Sequence, residues 1–253
     1  MDTLDGELGT LNTAAKPTLS WSHMPALEID LWRLERHRII SLTRRHPGSA
    51  AFDVMRTKVL QDSRDKGWTI LGISAPTENC GKATVAANLA ISLAKHEKFK
   101  VALIDLELSR PNLSRIFGHS GRYSTEDFLR GRCRTEDFLV RLGDNLAIGT
   151  SAPGTNYVAE LLHSPGAAEV LARMKAELDA DIILYNLPAL LEGDDCLGLL
   201  PRVEASLLVV AAEESTIDDI DVCERQMRER THLLGVVLNK CRYETGKNSN
   251  FQI

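Results

Sequence analysis

The chain is short of paired cysteines, aromatics, excess positive charge and long apolar runs. Its five cysteines, Cys80, Cys133, Cys196, Cys223 and Cys241, are scattered and make no C-x-x-C pair. That excludes a disulfide framework and a cysteine zinc site, and it suits a reducing cytosol. The histidines, among them His96, His119 and His163, stand singly without the spacing of metal ligands. Lysine and arginine number 30 against 35 aspartate and glutamate, so broad nucleic-acid binding, which needs a basic face, is excluded. The longest apolar runs, such as 205–212, are far too short to span a bilayer. The polar start MDTLDGELG is unlike a secretory signal. A cytoplasmic protein is the expectation.

What is present is enough apolar residue, 43% of 253 positions, to build one large core. Apolar runs at 69–74, 101–107, 145–150, 181–187, 206–212 and 235–240 read as strands, and those at 181–187, 206–212 and 235–240 as strands buried on both faces. Between them lie helical patterns at about 82–96, 157–163 and 166–178, a helix start at Ser124, and a capping box, Thr216 with Asp219, opening the last long helix. A further helix follows a cap near Ser49, with Ala51, Phe52, Met55, Val59 and Leu60 on one face. Strands alternating with helices predict an α/β fold: a mostly parallel central sheet flanked by helices on both faces. The expected organisation is a disordered or partly helical arm at 1–47, the α/β domain at 48–243 and a flexible tail at 244–253. Basic residues cluster in the arm at Arg33, Arg36, His37, Arg38, Arg44 and Arg45, near Trp32. They read first as a solvated linker, second as a contact for an acidic membrane surface or a partner. The pentapeptide TEDFL occurs at 125–129 and 135–139; one recurrence is too few for a solenoid and reads as coincidence or two similar helix starts.

The chemistry concentrates at 69–84, TILGISAPTENCGKAT. A β-rich run ends in a turn that carries Gly81-Lys82 and opens into a helix. This is the layout of a P-loop, in which backbone N–H groups and a lysine cradle phosphates. Gly81 lets the backbone approach phosphate because it has no Cβ, and Lys82 supplies the fixed charge. The full pattern is G-x-x-x-x-G-K-[ST], but Pro76 holds the first glycine position and Ala83 the hydroxyl position. That hydroxyl is normally a direct Mg²⁺ ligand. Thr84, one residue on, is rotated about 100° round the helix. Asn79 tolerates a left-handed backbone and preserves the turn, while Glu78 faces either solvent or the phosphates.

Several blocks in order resemble the cytoplasmic domain of bacterial tyrosine kinases of capsule and exopolysaccharide synthesis, a group within the MinD/ParA-like P-loop ATPases. They are AFDVMRTKVL (51–60), the loop with ANLAISLA after it, VALIDLELSRPNLSRIFG (101–118), VAELLHSP (158–165), DIILYNLPALLEGDD (181–195) and GVVLNK (235–240). The resemblance spans about 45–242. It implies a nucleotide, ATP or ADP, held by Asn79, Cys80, Gly81, Lys82, Ala83, Thr84 and Asn239. It implies Asp105 as the group that positions Mg²⁺ and takes the substrate's proton, with Glu107 in place of a second aspartate. Ser109 stands where the family commonly has arginine, with Arg110 adjacent. Read without the family, Asp105 also serves as a strand-end cap. Asn186 falls where the family has an aspartate for the Mg²⁺ hydration shell. Ala83 and Asn186 thus remove two groups from one ion, so no metal site is expected. The family's tyrosine cluster is reduced to Tyr243, and its E-x-x-R-x-x-R assembly motif to Ala50, Asp53 and Arg56.

The expected function is a catalytically degenerate, cytoplasmic partner or regulator of a membrane polysaccharide co-polymerase (a chain-length-determinant protein), held at the inner membrane through that partner and self-associating. An active protein-tyrosine autokinase, with Lys82 on the phosphates and Asp105 as base, is the alternative. A MinD/ParA-like positioning ATPase is the third reading, weakened because Pro76 and Thr77 occupy the region of that group's early second lysine.

Overall fold

The computed structural model describes residues 19–42, 46, 48–151 and 158–241. Seven strands form one sheet: β1 (Ile70–Ser74), β2 (Val101–Asp105), β3 (Val140–Leu142), β4 (Leu146–Gly149), β5 (Ile182–Asn186), β6 (Ala205–Ala211) and β7 (His232–Asn239). Their order is β3-β4-β2-β5-β1-β6-β7. All neighbours are parallel except β3 and β4, which pair antiparallel. The expected α/β class is therefore observed.

Strand alternation builds two cores. Leu71, Ile73, Val101, Leu103, Ile182, Leu184, Leu207 and Val209 face one layer of helices. Ile70, Ala102, Ile104, Ile183, Tyr185, Leu208 and Val210 face the other. Each fully buried leucine or isoleucine contributes about 1.5–3 kcal/mol of burial, so the central strands are anchored from both sides. The first layer holds α1 (Leu31–Arg36), α2 (Ser49–Lys66), α3 (Lys82–Ala94) and α4 (Leu113–Phe117). The second holds α5 (Thr125–Leu129), α6 (Thr135–Phe138), α7 (Val158–His163), α8 (Pro165–Leu178), α9 (Asp195–Leu199) and α10 (Ile217–Arg228).

Several expectations are corrected. The run at 235–240, read as buried on both faces, belongs to β7 at the sheet edge, and Leu238 is 61% exposed. Ser49 does not cap α2 from outside. It is the first helical residue, with Gly48 before it and its hydroxyl donating to His46 O. Over its described part the arm carries the short helices Trp21–His23 and Leu31–Arg36, and Trp21 is buried and donates from Nε1 to Leu178 O at 2.9 Å. Ile40 N and Ser41 N both donate to Asn88 Oδ1, at 2.8 and 2.9 Å. The two TEDFL copies both start helices, and their phenylalanines, Phe128 and Phe138, stack with ring centroids 4.4 Å apart. Thr216 and Asp219 form the expected capping box. Tyr243, Arg44 and Arg45 lie outside the described residues. Among the described residues no helix is long and apolar enough to cross a membrane.

Candidate nucleotide site

Parallel strands place their carboxyl ends together, and ligands of such sheets bind there. Here the loops after β1, β2 and β5 and the last residue of β7, Asn239, meet at that end. The β1–α3 loop is fixed from beneath by backbone bonds from Leu190 N to Ala75 O at 2.8 Å and from Leu191 N to Pro76 O at 2.9 Å. Ser74 Oγ adds a bond to Pro188 O at 2.6 Å.

Asn79 adopts the left-handed conformation expected of it, with φ 64°, and Gly81 has φ 90°. A side chain at Gly81 is strained by that φ, and its Cβ would push the Asn239 amide aside. The amide nitrogen donates to Cys80 O at 2.8 Å. Asn239 thus clamps the loop's backbone from the end of β7. Cys80 is buried, its Sγ 3.6 Å from both Thr77 Oγ1 and Ser215 Oγ. Thr84 gives its carbonyl to Asn88 Nδ2 at 2.9 Å.

Lys82 is not free. Its Nζ lies 2.9 Å from Glu107 Oε2, and the two side chains are only 7% and 5% exposed. Glu78 pairs with Arg110, and its backbone N–H donates to the Glu192 carboxylate. Arg110 therefore sits near the position that Ser109 leaves without a cation, but it is spent on a carboxylate. Glu78, Glu107, Ser109, Arg110, Glu192 and Asp195 line a cleft of about 230 Å³, which touches the Lys82 pair through Glu107. Burial, with Asp194 adding to it, pushes Asp195 up from its ordinary value. Glu78 and Arg110 were each singled out in the sequence but not as a pair, and Glu192 was hinted at only by the acidic run EGDD at 192–195.

Asp105 and Asn186 stand directly opposite each other in the β2–β5 register. Asn186 Nδ2 donates to Asp105 Oδ1 at 2.7 Å; Glu107 N donates to the same oxygen at 3.3 Å and Leu113 N to Oδ2 at 3.0 Å. Both residues are completely buried. Asn186 Oδ1 has no partner. Burial pushes the Asp105 pKa from 3.8 up to about 6, against the opposing pull of Asn186 and the two backbone N–H groups.

The Mg²⁺ implied by the family does not fit these donors. Ala83 offers a methyl group. Both Asp105 oxygens accept N–H groups out of reach of solvent, Asn186 carries no charge, and the Glu107 carboxylate is held by Lys82. Among the described residues no cluster of three or more His, Cys, Asp or Glu side chains could hold a metal. Arg56, the remnant of the assembly motif, is engaged within the chain, on Asp53 Oδ1 at 2.7 Å and on Ser92.

The raised Asp105 pKa carries a pH signature. The folded protein holds this proton more tightly than the unfolded chain, so the contribution is fully present below pH 3.8 and lost as pH rises through about 6. The change is on the order of 3 kcal/mol. Asp105→Asn removes it. The wild-type minus variant difference in urea-unfolding free energy is expected to fall between pH 4 and pH 7; a level difference would mean that Asp105 titrates near its ordinary value.

The putative tyrosine-protein kinase EpsB of Ralstonia solanacearum is 28% identical over 203 residues, covering 76% of this chain but 26% of that protein. The chain thus spans about a quarter of that relative. Tyrosine-protein kinase YwqD of Bacillus subtilis is 25% identical over 209 residues, 82% of this chain and 87% of YwqD. The VpsO kinase domain superposes with a TM-score of 0.67 at 26% identity, covering 76% of this chain and 95% of that one. MinD of Pyrococcus horikoshii, solved with Mg-ADP, gives a TM-score of 0.56 at 26% identity, over 67% of this chain and 69% of that one. The model of the CobQ/CobB/MinD/ParA nucleotide binding domain matches residues 71–252, from the first strand through the clamp residue Asn239, and the chain belongs to that family.

Proposed function

We propose that this chain is a nucleotide-binding relative of the bacterial tyrosine-kinase domains that has lost metal-assisted phosphoryl transfer. It serves as a partner or regulator of a membrane polysaccharide co-polymerase and reaches the inner membrane through it. The observation that carries this reading is the Asp105–Asn186 contact of 2.7 Å. The carboxylate needed beside the ion is turned instead into a fully buried hydrogen bond with an amide, and Ala83 removes the other ligand. Phosphoryl transfer rests on neutralising charge at that ion, whereas the loop backbone retains the shape for phosphate. Binding therefore outlasts chemistry.

Calorimetry with ADP and ATP, with and without Mg²⁺, tests the reading alongside an anti-phosphotyrosine blot. Nucleotide affinity is expected to change by less than about threefold on adding Mg²⁺, with no phosphotyrosine formed. Strong enhancement by Mg²⁺ together with phosphotyrosine would establish the kinase reading instead. Co-purification with a co-polymerase expressed beside it tests the partner.

A further inference from the structure

We infer that Glu107 occupies the terminal-phosphate position of the loop, so that the site takes a nucleoside diphosphate in preference to a triphosphate. The inference rests on the nucleotide-binding reading above and adds its selectivity. A P-loop lysine meets the outer phosphates of a nucleotide. In this chain the Lys82 ammonium already has an anionic oxygen at 2.9 Å, from Glu107. That oxygen stands where a phosphate oxygen must be to make the same contact. The pair is not a surface accident, because both side chains are almost wholly buried and both ends are fixed. Lys82 opens α3, and Glu107 follows directly on β2, its backbone N–H bound to Asp105 Oδ1.

The surroundings act in the same direction. The cleft that Glu107 lines also presents Glu78, Glu192 and Asp195, against Arg110 as its one lining cation, itself paired with Glu78. A γ-phosphate entering there would displace Glu107 from Lys82 and lie among carboxylates, with no metal ligand set to offset its charge. Like charges at such close range repel strongly even at moderate effective dielectric. The inner phosphates meet different chemistry: the turn of Asn79 and Gly81, held open by the Asn239 clamp, supplies backbone N–H groups without requiring Lys82 to change partners.

The test is calorimetry on the full chain with ADP and ATP in EDTA, for wild type, Glu107→Gln and Glu107→Asp. Wild type is expected to bind ADP at least about tenfold more tightly than ATP. Glu107→Gln removes the competing charge and brings the two affinities within about twofold, chiefly by a gain for ATP. Glu107→Asp, with a shorter reach, falls between them; it also keeps a charge for Lys82 should the glutamine variant fail to fold, which a thermal melt checks. ATP bound as tightly as ADP by wild type, or a ratio unchanged in both variants, overturns the inference and leaves nucleotide binding standing. Binding of neither nucleotide by any of the three folded proteins overturns both.

Discussion

Asn186→Asp, the substitution that restores the kinase-like residue, is expected to destabilise the protein by about 3–5 kcal/mol at pH 7. The amide at 186 donates to Asp105 Oδ1 at 2.7 Å inside a fully buried contact. A carboxylate in its place loses that donor and puts two like charges against each other without water between them. They cannot both ionise, so one is forced to hold a proton. The cost therefore has a pH dependence. It is large at pH 7, where that proton must be taken from dilute solution, and shrinks towards pH 5, where its uptake costs less. Urea unfolding at the two pH values measures it. Adding Ala83→Thr supplies the missing hydroxyl, and the double variant is expected to recover stability on addition of millimolar Mg²⁺, which neither wild type nor Asn186→Asp alone does. A double variant indifferent to Mg²⁺ would show that the ion site needs more than these two groups. A single variant as stable as wild type would remove the argument that Asn186 was selected by the pairing.

Much of the fold was legible from residues alone. The apolar runs that became β1, β2, β5 and β6 are continuous because both faces of the sheet are covered, and continuity is a local signal. The turn was legible at Asn79, whose left-handed backbone at φ 64° is one that few other non-glycine residues adopt readily. What could not be read was anything set by strand order. The run 235–240 looks as apolar as its neighbours, and only its place at the end of the sheet leaves it half exposed. The three residues of β3 carry no pattern. That strand is held by the arm, with Leu27 N donating to Arg141 O and Arg141 N to Pro25 O, both at 2.8 Å. The site shows the same division. Motif order reads Ala83 and Asn186 as falling at one ion. Their consequence was not legible: the contact of Asn186 with Asp105 depends on β5 lying beside β2, and the contact of Lys82 with Glu107 on the loop after β2 folding back over the start of α3. Neither has a counterpart in spacing along the chain.

The Lys82–Glu107 contact alters what the commonest control experiment on a P-loop will report. Lys82→Ala is ordinarily chosen to abolish phosphate binding in a protein that otherwise stays intact. Here it leaves the Glu107 carboxylate buried without its cation, and breaking a buried pair from one side costs about 3–5 kcal/mol. Lys82→Ala is therefore expected to lower the urea-unfolding free energy by that amount, a large share of the ~5–15 kcal/mol that holds a typical protein folded. The double variant Lys82→Met, Glu107→Leu removes both charges and keeps the volume filled, so its stability is expected to lie within about 1 kcal/mol of wild type, since apolar replacement of a whole buried pair is often neutral or better. The coupling energy of the cycle separates the pair from the packing around it. If Lys82→Ala costs less than about 1 kcal/mol, the pair is behaving as an exposed one, and the lysine is free to meet a phosphate without first leaving a partner. If the expected loss is found, a failure of Lys82→Ala to bind nucleotide says nothing by itself about the loop. The informative variant then lies on the other side of the contact, where Glu107→Gln leaves the lysine in place and frees its charge.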